Sequence, residues 1–221
     1  MQMEITGVEW TSLTEDFGYY TVDVDGLPEF EPAPFKNPTL VNPFWAWKVE
    51  LDQVERFIGD VVEDLMTPAE NIGRKCWGNY YNKLRHKTVK FSHLPHMDGP
   101  GWVGNLWITD HEPGTRGTKF FSYKDQWKED KFTFLKDLMK PSCDKKKYLH
   151  GLQHDVEYVW ENFGNGYIEG WGFQYLGMAP ARKNTITVYN SMMPHTAYIE
   201  DSVSESYSQL VKVATAPQHK E

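Results

Sequence analysis

A chain of 221 residues is long enough for one domain with a substantial hydrophobic core. Its formal net charge of −8 argues against a nucleic-acid binder, because neutralising phosphates requires a basic face. The only cysteines, Cys76 and Cys143, exclude a disulfide framework and favour a reducing compartment. No apolar run approaches the roughly 18 residues of a membrane span, and no signal pattern opens the chain. We therefore expect a soluble, cytoplasmic protein that is not bound to a membrane.

The N-terminal third predicts two strands, a loop and a helix. Alternating residues indicate strands at 4–10 and 19–24, the second followed by an Asp-Gly turn at 25–26. Five prolines make 27–44 a loop or a wrapping arm, because proline cannot continue a ladder of hydrogen bonds. Apolar residues then recur at helical spacing over 45–66, with acidic residues opposite them. This pattern predicts an amphipathic helix that braces one face of a sheet.

The rest of the chain predicts mainly strands, interrupted by one insertion. Strands are predicted at 76–81, 102–109, 118–123, 166–177, 185–189 and 209–214. Lysines and helically spaced aromatic residues over 124–163 indicate a largely helical insertion. We expect a mainly β single domain over 1–221, with a core of about 75–123 and 165–214. A double-sheet jelly roll fits this pattern, and it would bring strands that are distant in sequence together.

Three residues form a candidate metal site. His96 and Asp98 are two positions apart beside a glycine-rich turn, so on an extended edge both side chains leave the same face. His195 follows a predicted strand and a proline, and the proposed fold can bring it to the other two. Two imidazoles and one carboxylate form the facial triad that leaves coordination positions open on iron.

These segments resemble the iron(II)/2-oxoglutarate oxygenases of the prolyl-hydroxylase type. The similar segments are PHMD at 95–98, WVGNLWIT at 102–109, GTRGTKFF at 114–121 and MAPARKNTITVYNSMMPH at 178–195. The last of these resembles an uncharacterised bacterial and phage branch of the family. The resemblance spans about 75–123 and 170–214.

The resemblance implies a double-stranded β-helix that binds Fe(II) through His96, Asp98 and His195. 2-Oxoglutarate and O2 would be the cosubstrates. Oxidative decarboxylation would yield succinate and CO2, with hydroxylation of a C–H bond in a small molecule or a peptide. The insertion would be a lid or a substrate platform.

The chain departs from the family at one position. The family places an arginine or lysine about ten residues after the distal histidine, where it pairs with the far carboxylate of 2-oxoglutarate. Ser206 stands at that position here. Lys119 could supply the cation if it points inward, and Lys212 is a weaker candidate. Alternatively, Ser206 and Ser208 bind the carboxylate with a tyrosine hydroxyl, or the cosubstrate is altered or lost.

Three further residues are candidate contacts for the cosubstrate. Asn105 and Trp107 alternate on the same face as Val103 and could line the pocket, although Trp107 also suits a plain core role. Tyr80 is the third candidate, and a tyrosine there is also typical of core packing.

Other histidines and another class of protein remain as alternatives. The rival metal ligands are His93, His111, His150 and His154. His150 and His154 have a zinc-like spacing, but no further ligand completes that pattern. The alternative function is a cupin-like metal-binding protein without oxygenase activity, which the missing arginine favours.

Overall fold

The computed structural model describes residues 2–29, 51–66, 71–82, 100–123, 167–168, 173–200, 202–203 and 205–215. Within these ranges the chain forms ten strands and one helix. In chain order they are β1 (Glu4–Ser12), β2 (Gly18–Asp25), α1 (Leu51–Leu65), β3 (Asn71–Asn82), β4 (Gly101–Trp107), β5 (Arg116–Tyr123), β6 (Tyr167–Ile168), β7 (Phe173–Pro180), β8 (Thr185–Asn190), β9 (His195–Ile199) and β10 (Glu205–Thr215).

The strands form two antiparallel sheets. The large sheet has the order β1-β2-β8-β4-β10-β3, and the small sheet has the order β6-β7-β5-β9. Strands that are distant in sequence are therefore neighbours: β4 lies between β8 and β10. The prediction of a mainly β protein is confirmed at this level.

Helix α1 packs on the outer face of the large sheet. Its buried apolar side chains recur at helical spacing: Val54, Ile58, Val61 and Val62. They form one hydrophobic cluster with outward-facing residues of the sheet: Val22, Val24, Leu106, Ile186, Val188, Val211 and Val213. The prediction of a helix that braces one face of a sheet is therefore confirmed for 51–65.

Two local features hold α1 close to the sheet. A Cβ atom on Gly104 of β4 would lie 2.6 Å from Cγ2 of Val62, so only a glycine admits the helix at this distance. On β3, Arg74 donates to Asp60 at 2.8 Å and to Glu63 at 2.7 Å, and both carboxylates belong to α1. These exposed ion pairs are worth little individually, and they link the polar side of the helix to β3.

A second hydrophobic cluster lies between the two sheets. The large sheet contributes Tyr19, Val103, Tyr189 and Leu210, and the small sheet contributes Phe120 and Ala179, with Met193 from the β8–β9 connection. The ring of Phe120 stacks on Tyr19 and meets Tyr189 edge-on, with centroids 5.4 and 5.1 Å apart. Because side chains alternate along a strand, residues two and four positions away from these on the same strands also face the layer between the sheets.

Several predicted boundaries differ from the structure. The segment 195–199 forms β9 in the structure but was not predicted as a strand, and β10 begins at Glu205 rather than at 209. The predicted strand over 166–177 corresponds to β6 and to β7, which extends to Pro180. The proline-rich 30–44, the first part of the predicted helix and the insertion over 124–163 lie outside the described residues.

Candidate functional site between the two sheets

His195 is buried at the start of β9, in the layer between the sheets. It pairs in register with Phe120 of β5, and its ring meets the ring of Tyr189 at a centroid distance of 4.9 Å. Its Nδ1 atom lies 2.8 Å from the carbonyl oxygen of Met193. A carbonyl only accepts, so Nδ1 carries the proton and Nε2 of the neutral ring carries the lone pair. This tautomer is the one in which Nε2 can act as a metal ligand or a base.

The other two predicted metal ligands, His96 and Asp98, lie outside the described residues. Among the described residues no group of three or more histidine, cysteine, aspartate or glutamate side chains could hold a metal ion. The convergence of His96 and Asp98 with His195 therefore stays a prediction.

The inward face of the large sheet becomes polar away from Val103. On β4, Asn105 and Trp107 share the inward face with Val103, as the alternation predicts. The indole Nε1 of Trp107 donates to Oγ1 of Thr187 on β8 at 2.9 Å. Within the described part of the chain, Oδ1 of Asn105 and Oγ of Ser208 are buried and find no hydrogen-bond partner. Buried polar atoms normally have a partner, so these two mark a place where a ligand could supply one.

Arg116 supplies a buried cation in the same layer. It lies on β5 four residues before Phe120, on the same face, and is only 6% exposed. Its Nε donates to Oγ of Ser206 at 3.2 Å, and its Nη1 donates to the carbonyl oxygens of Gly117 and Tyr198 at 2.9 and 3.0 Å. The guanidinium carbon lies 4.8 Å from the centroid of the Trp107 ring. These contacts fix the orientation of the guanidinium group in the layer between the sheets.

His111 lies on the other side of Ser206. Its Nε2 is 3.0 Å from Oγ of Ser206, which also accepts from Arg116. The hydroxyl can therefore donate its proton to Nε2 when the ring is neutral. Burial lowers the pKa of His111, and the charge of Arg116 lowers it further, whereas Asp110 acts in the opposite direction. The site thus favours the neutral imidazole.

Lys119 lies on the other face of β5. Its Nζ is 3.8 Å from the centroid of the Tyr198 ring and 5.5 Å from that of Tyr175. Because Lys119 directly precedes the inward-facing Phe120, its side chain leaves the opposite face. Burial lowers the pKa of Lys119, and the negative charge of Glu200 raises it by a smaller amount. The expectation that Lys119 points between the sheets is therefore wrong, and Arg116 is the cation of β5 that does.

The remaining predicted contacts lie on β10 and β3. Ser206 and Ser208 are both buried and inward-facing, and both belong to β10 rather than to the segment before it. Lys212 is buried on the same face, four residues beyond Ser208. Tyr80 lies in β3 and pairs in register with Tyr207, and only its backbone is among the described features.

Sequence reasoning gave Arg116 no role and considered His111 only as a rival metal ligand. The alternation over β5 separates two faces, each with one phenylalanine and one cation: Arg116 with Phe120, and Lys119 with Phe121. The two faces have the same residue types, so the sequence of β5 does not indicate which face packs against the large sheet. His111 lies in the turn after β4, where no periodic pattern assigns a direction.

Comparisons of the chain with protein-family models, with curated proteins and with solved structures find no match. Within the described residues, no helix is both long enough and apolar enough to cross a membrane.

Proposed function

We propose that the protein is an iron(II)- and 2-oxoglutarate-dependent dioxygenase that hydroxylates a small molecule or a peptide side chain. The observation that carries this proposal is that the layer between the two sheets contains His195 toward its apolar end and Arg116 toward its polar end. The two positions are four residues apart along β5, or roughly 13 Å. A short dicarboxylate could bridge this interval together with the side chains at its two ends.

The winding of the chain supports a double-stranded β-helix. The described connections from β4 to β5, from β7 to β8, from β8 to β9 and from β9 to β10 each pass from one sheet to the other. A jelly roll winds in this way around a layer that is enclosed by two sheets. In this arrangement the start of β9, where His195 lies, would face the segment before β4 that contains His96 and Asp98.

The chemistry of His195 suits a resident metal ion. Its Nδ1 proton is donated to the carbonyl of Met193, so Nε2 is the ring nitrogen that could bind a metal ion. With His96 and Asp98 it would complete a donor set of two imidazoles and one carboxylate, which suits iron(II) and leaves positions for other ligands. Iron bound there would supply the redox chemistry with O2.

Arg116 would bind the far carboxylate of 2-oxoglutarate. The family uses a basic residue at the position of Ser206, and here the guanidinium of Arg116 lies against that serine instead. The Ser206 hydroxyl orients the guanidinium, and Ser208 and Asn105 offer buried polar atoms that a ligand could satisfy. Thus the cation that appeared to be missing would be supplied by β5.

The apolar residues of the layer would keep water from the reacting groups. Phe120, Val103 and Met193 are buried in the same layer as His195. The overall reaction would consume 2-oxoglutarate, O2 and a substrate C–H bond, and it would yield succinate, CO2 and an alcohol. One oxygen atom of O2 would enter succinate and the other would enter the product.

Two measurements on the full chain test this proposal. Fe(II) and 2-oxoglutarate are added without O2, and the weak visible charge-transfer band of the chelate is recorded. O2 is then admitted, and succinate is quantified. We expect both signals from the wild type and from His154→Ala, which removes one of the rival ligands, and neither from His195→Ala.

The other outcomes separate the alternatives. Metal binding without the band or succinate would support the cupin-like protein and contradict the oxygenase. A signal that His195→Ala retains and His154→Ala loses would place the metal elsewhere in the chain.

A further inference from the structure

Strand β1 forms an open edge of the large sheet. It pairs with β2 on one side, and within the described ranges no strand pairs with its other side. An edge strand presents unpaired backbone N–H and C=O groups, and proteins commonly protect such edges with proline, lysine or short length. β1 has nine residues and contains neither proline nor lysine. Its one bulge lies between Ile5 and Gly7, so the stretch from Gly7 to Ser12 is regular.

One face of β1 is apolar and exposed. Ile5, Val8 and Trp10 pair with residues of β2 that face α1, and they extend that apolar surface beyond the helix. Val8 is 51% exposed and Trp10 is 45% exposed, although the Trp10 ring contacts the ring of Tyr20 at a centroid distance of 4.6 Å. Exposed apolar side chains in a row on an edge strand are typical of an interaction site.

The other face of β1 is acidic. Glu4 and Glu9 lie on this face, and Asp25 of β2 pairs directly with Glu4. Asp23 of β2 lies on the same face, and Arg182 binds its carboxylate at 2.5 Å. The two faces therefore differ in chemistry: one is apolar, and the other carries like charges that repel one another.

This hairpin holds almost all of the protein's net charge. Residues 2–29 contain seven carboxylates and no lysine, arginine or histidine, whereas the whole chain has a net charge of −8. The carboxylates are Glu4, Glu9, Glu15, Asp16, Asp23, Asp25 and Glu29. A surface of this sign attracts a basic partner.

We propose that the open edge of β1 binds an extended, basic segment of a partner protein, which adds to the large sheet as a further strand. Backbone hydrogen bonds would provide the pairing, as in other complexes that form by strand addition. Apolar residues of the segment would lie beside Val8 and Trp10, and the alternate residues, lysine or arginine, would lie beside Glu9. The site is independent of the layer between the sheets and does not rest on the proposed oxygenase activity.

A second copy of the chain fits this edge less well. Pairing two β1 strands would bring two acidic faces together along one side of the joined sheet, and both copies carry the same seven carboxylates. Like charges in that arrangement oppose association, whereas a basic strand neutralises them.

The binding test uses two fluorescently labelled peptides of the same composition. The first, Lys-Ile-Lys-Val-Lys-Ile-Lys-Val, alternates, and the second, Lys-Lys-Lys-Lys-Ile-Val-Ile-Val, does not. Fluorescence anisotropy with the full chain gives both affinities. We expect the alternating peptide to bind at least about ten-fold more tightly, and its affinity to fall as salt is raised. Equal affinities would mean that only general charge attraction operates and would overturn the proposal, as would the absence of binding.

Two charge-matched variants locate the peptide. Glu9→Lys reverses a charge on β1, and Asp64→Lys makes the same change on an exposed position of α1. We expect about a ten-fold loss of affinity for Glu9→Lys and less than about two-fold for Asp64→Lys. Equal losses would overturn the proposal, and thermal unfolding confirms that both variants fold.

Sedimentation tests whether a second copy of the chain binds the edge of β1 instead. We expect the chain alone not to self-associate through this edge, so that Val8→Lys leaves its sedimentation unchanged. A wild-type dimer that Val8→Lys dissociates would assign the edge to a second copy and overturn the proposal.

Discussion

Arg116 of β5 donates a hydrogen bond of 3.2 Å to Ser206 of β10, across 90 positions of sequence and between the two sheets. Ser206 stands where a family with this motif order would carry a basic residue. The contact shows that a guanidinium from one sheet can occupy the space beside a small residue on the other. In this chain a long basic side chain of β5 thus lies against a small side chain of β10.

Replacing Arg116 should weaken the binding of 2-oxoglutarate. Arg116→Gln removes the buried cation, and the loss of a hydrogen bond to a charged group costs about 1.5–3 kcal/mol, or roughly ten- to a hundred-fold in Kd. Lys119→Gln is the matched control, because it removes a cation from the opposite face of β5. Calorimetric titration of the metal-loaded protein measures both. A larger loss in Lys119→Gln would show that Arg116 is not the anchor.

Moving the arginine should restore part of the binding. Arg116→Ser alone should bind 2-oxoglutarate as weakly as Arg116→Gln does. Combining it with Ser206→Arg returns one guanidinium to the same space from β10, and we expect the double variant to regain at least about ten-fold of the lost affinity. Binding no tighter than that of Arg116→Ser would mean that the layer requires the geometry of β5.

Protonation of His111 should reduce stability in mild acid. Its pKa in the folded protein lies below the ordinary value of about 6.5, because burial and Arg116 disfavour the charged ring. The unfolded chain therefore binds more protons than the folded one in this range, and stability falls as the pH drops from about 6.5 through the lowered pKa. Urea unfolding at pH 7 and pH 5 should show a smaller loss for His111→Asn than for the wild type. Equal losses in the two proteins would contradict this assignment.

Two buried serines should respond differently to alanine. Ser208 Oγ has no hydrogen-bond partner among the described residues, so Ser208→Ala should leave the free energy of unfolding unchanged or raise it slightly. Ser191 Oγ donates to the carbonyl of Gly101 at 2.9 Å, so Ser191→Ala should cost about 1 kcal/mol. Urea unfolding without ligand measures both. If the Ser208 hydroxyl binds a ligand, Ser208→Ala should also weaken 2-oxoglutarate binding. Equal destabilisation of the two variants would instead indicate that the Ser208 hydroxyl has a structural role.

Adding one methyl group under α1 should destabilise the fold. The Cβ atom of Gly104→Ala would lie 2.6 Å from Val62 Cγ2 and 2.8 Å from Ile58 Cγ2, and such overpacking costs about 1–3 kcal/mol. Val62→Ala opens space at this point, so it should be less harmful in the Gly104→Ala background than in the wild type. A double-mutant cycle in urea measures the coupling, and additive effects would show that the helix shifts away instead.

The amino-acid sequence by itself determined most of the secondary structure. The 3.6-residue period over α1 and the alternation along β4 are local signals, and they correctly placed the bracing helix and set Asn105 and Trp107 on one face. The motif order around His96, Asp98 and His195 predicts an iron site from residue types alone.

Only the tertiary structure decided which face of β5 lies between the sheets. Arg116 with Phe120 and Lys119 with Phe121 are equivalent local patterns, and the packing of Phe120 against Tyr19 and Tyr189 separates them. Likewise, β9 is a strand because β5 pairs with it, not because its own residues alternate. Burial and strand pairing depend on contacts between segments that are distant in sequence. The hydrophobic periodicity within one segment therefore cannot predict them. The position of the buried cation follows from those contacts.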